Sequence, residues 1–236
     1  MTKDRVVSFL FLGVFIFCSS FLISESIRYQ KDFERFIKVK GLAEKKIKSD
    51  KGIWTIQYME TGVSLTEIYS KISNNKLIIK KFLKKIGIEE REIEFQNVTL
   101  NDNFSYGSKV HKGAQRYRAT SGVSVYSLKV DFIKKFSQET NELIQKGVTL
   151  TGNRVKFLFE DLNSIKQDML TLAMKNARLA AESFLKGSST KVKNVRNISQ
   201  GLFSVNDFST GSGHFYSSSS LYKKVRVVVG VSYFIE

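Results

Sequence analysis

The side chains best suited by type and spacing to do chemistry are cations. They form two groups, one near the end of a predicted helix and one in a polar loop: Lys80, Lys81, Lys84, Lys85, Lys109, Lys112, Arg116 and Arg118. Helix residues four apart lie one turn apart, so the first group forms a small basic patch. With a formal net charge of +16, such patches favour an anionic lipid or polymer as partner. The four helix lysines also have a structural interpretation, because cations stabilise the carboxyl end of a helix.

Motifs of established catalytic and cofactor sites do not occur in the sequence. There is no H-E-x-x-H, no paired C-x-x-C, no phosphate-binding glycine loop and no G-x-S-x-G. One cysteine and two histidines, His111 and His214, are too few for an ordinary zinc site. The alternating carboxylates Glu92 and Glu94 are typical of a solvated strand face. The sequence therefore predicts no catalytic, cofactor or metal site. Nucleic acid is not favoured as a partner, because no basic run adjoins an aromatic stacking motif.

The amino-terminal segment predicts the compartment. Lys3 and Arg5 precede an apolar run of eighteen residues, 6–23, which is short for a membrane span but longer than most signal-peptide cores. We expect an uncleaved membrane anchor; the alternatives are a cleaved signal peptide and a lipoprotein modified at Cys18. All three export the body to the periplasm or outside. Residues 1–28 are thus anchor and linker, and residues 29–236 form the body, with two lobes meeting near residue 115 as one option.

The first half of the body is predicted to be a β-β-α-β unit. Two strands flank a turn at residues 50–52 in the stretch RFIKVKGLAEKKIKSDKGIWTIQYMETG. In the helix that follows, Ser64 and Glu67 form a capping-box pair, and Gly87 ends the helix. The stretch EREIEFQNVTL then predicts a strand.

The second half repeats this pattern with variations. A strand in RYRATSGVSVYSLKV leads into a helix with Asp131 as its N-cap, and Gly147 ends that helix. After the strand NRVKFLFE, the longest helix is predicted over residues 163–185, with an apolar stripe formed by Ile165, Met169, Leu172, Ala173, Ala177, Ala180 and Phe184.

The chain then closes with the strand KVKNVRNIS, a Gly/Ser-rich loop and the strand LYKKVRVVVGVSYFIE, which has one apolar face. We expect Ala177 and Ala180 to face the sheet that this terminal strand completes, because small side chains let a helix lie close on a sheet. The predicted fold class is α+β. Mixed or antiparallel sheets in β-β-α-β units are packed by helices and preceded by one membrane anchor helix.

Four stretches, in this order, resemble the bacterial SIMPL-domain family, which includes periplasmic immunogenic antigen-like and oxidative-stress-defence-like proteins. They are GLAEKKIKSDKGIWTIQY (first hairpin), FLKKIGIEEREI (hinge from helix to strand), GVTLTGNRVKFLFED with LAMKNARLAAESFLKGSS (strand and Ala-rich helix) and KKVRVVVGVSYFIE (closing strand). The likeness covers residues 36–236, although this chain lacks the family's usual prolines. It implies an exported α+β domain without established catalytic residues and a loose link to stress defence. At least one member looks like a builder of ring or channel-like homo-oligomers.

Two hypotheses for function follow. The first is a non-enzymatic envelope protein that self-assembles through its sheet edges and its long helix, because exposed strand edges must be paired or covered. The alternative is a membrane-anchored basic module that holds an anionic lipid or polymer through the two cation groups. Its affinity would fall steeply with salt.

Overall fold

The computed structural model describes residues 35–104, 115–208 and 219–236, together with the helical residues 13, 15, 17, 19 and 20. The rest of the apolar run, Cys18, both histidines, Lys109 and Lys112 lie outside the described residues. Within the described part of the chain, no helix combines the length and the apolar character needed to cross a membrane. The anchor therefore stays a prediction.

The described residues form nine strands and four α-helices, which confirms the predicted α+β class with antiparallel sheets. The strands are β1 (Phe36–Lys48), β2 (Lys51–Gly62), β3 (Ile93–Phe95), β4 (Thr99–Asp102), β5 (Tyr117–Ser127), β6 (Leu150–Leu158), β7 (Val192–Gln200), β8 (Ser204–Asp207) and β9 (Tyr222–Ile235). The helices are α1 (Leu65–Lys85), α2 (Val130–Phe136), α3 (Asn141–Gln145) and α4 (Asn163–Leu185), and a 3-10 turn lies at Glu90–Glu92.

The chain divides into two compact units. Unit 1 comprises Met1–Glu44, Lys166–Ser204 and Arg226–Glu236, and unit 2 comprises Lys45–Ile165 and Val205–Val225. Residue 115 lies inside unit 2. Each unit is therefore assembled from segments that are distant in the sequence.

Unit 2 contains an antiparallel sheet with the strand order β3–β5–β2–β6, in which β4 also pairs with β5. Alternate residues of β2 and β5 point into one apolar core, which they share with α1: Trp54, Ile56, Tyr58, Ile72, Ile79, Leu83, Val123 and Val125. Helix α1 begins and ends as predicted. The side chain of Ser64 accepts a hydrogen bond from the amide of Glu67, and Gly87 has a φ of +89°, which favours glycine.

The second sheet has the strand order β1–β9–β7, and β8 also pairs with β9. Strand β9 is thus a central strand, and its predicted apolar face is confirmed: Val225, Val227, Val229, Val231 and Tyr233 are all buried. Its opposite face is mixed, with Lys224, Arg226, Val228, Gly230, Ser232 and Phe234 at the alternate positions.

Helix α4 packs on unit 1's sheet through small side chains. Ala173, Ala177 and Ala181 recur every four residues and are fully buried. A β-carbon added to Gly41 of β1 would lie 1.9 Å from the carbonyl oxygen of Ala173 and 2.6 Å from the amide nitrogen of Ala177. Helix and strand backbones therefore approach so closely that only glycine fits on β1.

The buried side of α4 differs from the prediction at three positions. Ala181, not Ala180, completes the fully buried line, while Leu172 and Phe184 are 45% and 75% exposed. The close approach at Gly41 admits only small side chains along the contact line. The predicted burial of Ala177 is confirmed, whereas Ala180 is only half-buried.

Other predicted elements also differ. Strands β1 and β2 follow one another but belong to different sheets, so the predicted first hairpin does not form. The predicted helix after Asp131 is two helices, and Lys129 rather than Asp131 occupies the N-cap position. At the break, Asn153 donates to the carbonyl oxygen of Ser137 at 2.7 Å and thereby satisfies a group that the helix leaves free. The stretch EREIEFQNVTL forms the 3-10 turn and two short strands.

Candidate functional site

Three lysines of the predicted patch at the end of α1 form ion pairs with glutamates. Lys80 and Lys84 both bind Glu90, and the nitrogen of Lys84 is 2.9 Å from that carboxylate. These two lysines lower the pKa of Glu90 to about 2. Lys85 contacts Glu142 at 3.0 Å. Glu142 also binds Lys146, and Lys81 is exposed with no carboxylate partner among the described residues. The patch therefore keeps a net positive charge.

The second predicted group is brought together only in part. Arg116 makes two hydrogen bonds to one oxygen of Asp102, at 3.0 and 3.1 Å, and this contact lowers the pKa of Asp102. Arg118 is exposed on β5, and Lys109 and Lys112 lie outside the described residues. The structure therefore places Arg116 in an ion pair rather than in a free cationic site.

A different basic surface lies on unit 1's sheet, on the face opposite α4. Val39, Gly41 and Ala43 of β1 point towards the helix side and are buried, so the residues between them point the other way. On β7, Asn197 pairs with Ser232 and Ser199 with Gly230. We call this surface the open face; its members are Phe36, Lys38, Lys40, Arg196, Asn197, Ser199, Arg226, Gly230, Ser232 and Phe234.

The neighbours across β1 and β9 follow from two contacts. The amide of Ile235 donates to the carbonyl oxygen of Arg35 at 3.1 Å, and Arg226 lies 3.7 Å from Glu44. An antiparallel pairing that satisfies both contacts puts Lys40 beside Gly230. A row of Lys40, Gly230 and Ser199 therefore crosses the three strands.

A groove with a volume of about 510 Å³ lies over these rows. Six of its lining residues belong to the open face: Lys38, Lys40, Asn197, Ser199, Gly230 and Ser232. The other three, Val39, Val231 and Phe184, come from the helix side of the sheet. Gly230 lies on the central strand and has no side chain, so no side chain fills the middle of the groove. Two lysines, two hydroxyls and an amide surround it.

The packing of the protein does not require glycine at position 230. A β-carbon there would lie 3.7 Å from the carbonyl oxygen of Ser199 and 3.8 Å from its β-carbon, which are ordinary contacts. Its φ is not in the left-handed region, in contrast to Gly87, Gly147 and Gly187. A glycine inside a strand without such a reason often marks a place where a ligand or another backbone approaches.

Two cations on the open face, Lys38 and Arg196, lie against aromatic rings, whereas Arg226 contacts Glu44. The guanidinium of Arg196 lies 4.1 Å from the ring centre of Phe36 and 5.9 Å from that of Phe234. The ammonium of Lys38 lies 5.3 Å from the same Phe36 ring. In the part of the chain that the structure describes, Lys38, Lys40 and Arg196 form no ion pair, so their charge is available to a partner.

The sequence reasoning missed this surface. Its cations come from three strands: Lys38 and Lys40 from β1, Arg196 from β7 and Arg226 from β9. The alternation of Lys38 and Lys40 on a predicted strand was the available signal, because it places both on one face. The pairing of β1 with β9, which brings in Gly230, had no local signal.

Unit 2 has a smaller groove, with a volume of about 210 Å³, beside a buried ion pair. Lys223 is 3% exposed and binds Asp207, which also accepts a hydrogen bond from the amide of Ser220 at 3.2 Å. This pair joins β8 to β9 and is structural. Among the described residues, no cluster of His, Cys, Asp or Glu side chains could hold a metal ion.

The fold defines the chain as an α+β protein with antiparallel sheets. The sequence model of the SIMPL family, described as a protein of unknown function (DUF541), matches residues 37–228. The chain therefore belongs to the SIMPL family, as the resemblance predicted. A comparison with curated proteins finds no match.

Proposed function

We propose that this chain is a non-enzymatic envelope protein that self-assembles at the membrane surface, with a role in envelope integrity or stress defence. The observation that carries self-assembly is the edge formed by β7. Among the described residues, β7 pairs only with β9, so the backbone groups on its other side have no strand partner. An uncovered edge of this kind is a template for pairing with another chain.

The side chains of β7 favour such pairing. Eight of its nine residues are exposed, including Val195 and Ile198 at 41% and 52%. Lysine and arginine on an edge normally oppose association. Of the two cations of β7, Lys193 lies 3.4 Å from Glu236, whereas Arg196 lies against Phe36 on the open face and keeps its charge. Apolar and amide side chains remain for a second copy of the chain.

The test is the mass of the full chain in detergent, measured by light scattering after size exclusion and corrected for bound detergent. We expect assemblies well above the monomer mass of 26.9 kDa. Ile198→Lys places an unpaired charge on the edge and should reduce the assembly to monomers. Leu202→Lys is the matched control, because Leu202 is fully exposed but follows the end of β7.

Two outcomes would reject assembly through β7. One is a wild-type chain that stays monomeric at high concentration. The other is equal dissociation by Ile198→Lys and Leu202→Lys, which would assign the effect to added charge in general.

Export and anchoring are part of the proposal and are supported by the apolar run at residues 6–23 behind Lys3 and Arg5. Mass spectrometry of the native protein tests them. An intact amino terminus supports a retained anchor, a start near Ser24 supports a cleaved signal, and a lipid mass at Cys18 supports a lipoprotein.

Binding of an anionic partner is the second candidate function. The patch at Lys80, Lys81, Lys84 and Lys85 supports it weakly, because three of the four lysines already bind glutamate. The open face favours it more, since Lys38 and Lys40 carry charge beside a groove. Affinity that does not fall with added salt would reject this candidate.

A further inference from the structure

We propose that the groove over Gly230 binds one negatively charged sugar unit of an anionic glycan. This inference rests on the second candidate function and assigns it a site and a ligand class. It is independent of assembly through β7.

The size of the groove fits a small polar ligand. Its volume of about 510 Å³ lies within the range of small-molecule sites, roughly 300–1,000 Å³. The three strands set its width at about 10 Å, since neighbouring strands lie about 4.8 Å apart. A single sugar ring spans such a distance, whereas a folded protein surface would need a broader face.

The polar groups match a charged sugar better than a bare anion. Lys38 and Lys40 offer positive charge from β1. Ser199, Ser232 and Asn197 on the other strands carry hydroxyl and amide groups, which both donate and accept hydrogen bonds. Sugar hydroxyls also donate and accept, so they can use all three. A phosphate or carboxylate by itself uses only donors.

Gly230 provides space for a ring to lie on the strand backbone. A β-carbon would cause no clash there, and the open middle of the groove therefore serves something other than internal packing. At the next position on the same face, Phe36 and Phe234 supply aromatic rings. Such apolar surfaces suit the C–H face of a sugar.

An anionic lipid headgroup is the main competitor for the same lysines. It would use their charge, but it would leave the hydroxyls and the amide of β7 and β9 with little to bind. The two ligands therefore differ in whether Asn197 and Ser199 contribute to affinity.

The experiment uses the full chain in non-ionic detergent, with a labelled oligogalacturonate of six units as the probe. A neutral cello-oligosaccharide of equal length, inorganic polyphosphate and phosphatidylglycerol vesicles are compared with it. We expect oligogalacturonate to bind and the neutral sugar to bind at least about tenfold more weakly, because charged hydrogen bonds are lost. Lys40→Gln and Asn197→Ala should each weaken oligogalacturonate binding.

Gly230→Val should abolish binding of the sugar, because the branched side chain fills the groove. Circular dichroism checks that this variant is folded; if it is not, Lys40→Gln and Asn197→Ala still decide the outcome. Lys175→Gln, which removes an exposed charge from α4, is the matched control and should bind like wild type.

Three results would overturn the inference. In the first, polyphosphate binds as tightly as oligogalacturonate does and Asn197→Ala does not change its affinity. In the second, the protein binds the vesicles but none of the soluble probes. In the third, Gly230→Val leaves oligogalacturonate binding unchanged. Ile198→Lys separates this inference from self-assembly. Ile198 pairs with Val231 on the helix side of the sheet, so its substitution should disperse the assembly and preserve sugar binding.

Discussion

Substitution of Gly41 by alanine tests the contact between β1 and α4 most directly. The added β-carbon would lie 1.9 Å from the carbonyl oxygen of Ala173, where non-bonded atoms normally stay about 3.5 Å apart. It would also lie 2.8 Å from the β-carbon of Ala177. The nearest blocking atoms belong to the helix backbone, so no side chain can turn away. The helix has to move by roughly 1.5 Å.

The expected cost is at the upper end of the range for overpacked cores, about 3 kcal/mol. In a protein of this size that corresponds to a fall in the thermal midpoint of roughly 6–12 °C. Gly230→Ala is the matched control on the central strand of the same sheet. Its β-carbon meets only ordinary contacts, so the variant should be neutral or stabilised by up to about 1 kcal/mol.

The measurement is thermal unfolding of the full chain in detergent, followed by circular dichroism in the β-sheet region. If Gly41→Ala unfolds at the wild-type temperature, α4 does not lie on β1 at Gly41. If both variants lose the same stability, the cost comes from adding any side chain to the sheet, and the close approach is not its cause.

Three further predictions concern other contacts. Asp207→Asn should destabilise the protein by about 3 kcal/mol, because it leaves the charge of Lys223 buried beside a neutral group, and chemical denaturation measures the loss. Ala181→Leu should lower the thermal midpoint more than Ala180→Leu does, because only Ala181 is fully buried. If Ala180→Leu lowers it more, Ala180 rather than Ala181 lies on the contact line of α4. The pKa of Glu90 is about 2 in the folded protein and about 4.5 when unfolded, so its contribution to stability is present above pH 4.5 and disappears as the pH falls towards 2. The midpoints of wild type and Glu90→Gln should therefore converge over that range, and a constant difference would contradict the assignment.

Local patterns allowed the elements to be predicted where neighbouring residues alone decide the structure. Helix α1 has its signals within the chain around it: Ser64 and Glu67 at the start and Gly87 at the end. The bounds of α4 and the apolar alternation of β9 were also predictable, because period and length suffice. None of these signals depends on a distant segment.

The remaining differences arise where distant residues decide. The turn at residues 50–52 looked like a hairpin, but the carboxylate of Asp50 accepts hydrogen bonds from the amides of Glu160 and Asp161. The break between α2 and α3 is stabilised by Asn153, which lies on a strand. The face of α4 was set by Gly41 on β1. In each of these cases the residue spacing within the segment does not indicate the distant partner.

The candidate site was also hard to predict, because distant segments form it. The lysines at the end of α1 stood out because they are close in sequence, and that closeness also put Glu90 within reach of two of them. The open face was missed because Lys40, Ser199 and Gly230 become neighbours only through the pairing of β1 and β7 with β9. Charge density along the sequence did not indicate which cations remain unpaired.

The place of β9 in the sheet has a consequence for how the chain is made. Arg35 is hydrogen-bonded to Ile235, so the first and last strands of the body are partners across almost the whole polypeptide. Contacts this distant in sequence close large loops and form slowly. Strand β1 is synthesised early, and its strand partner β9 follows only after the other described strands. An exposed strand in a nascent chain is a site for aggregation or for a chaperone. Loss of the last ten residues would remove most of the paired part of the central strand, and β1 and β7 would then have no common neighbour.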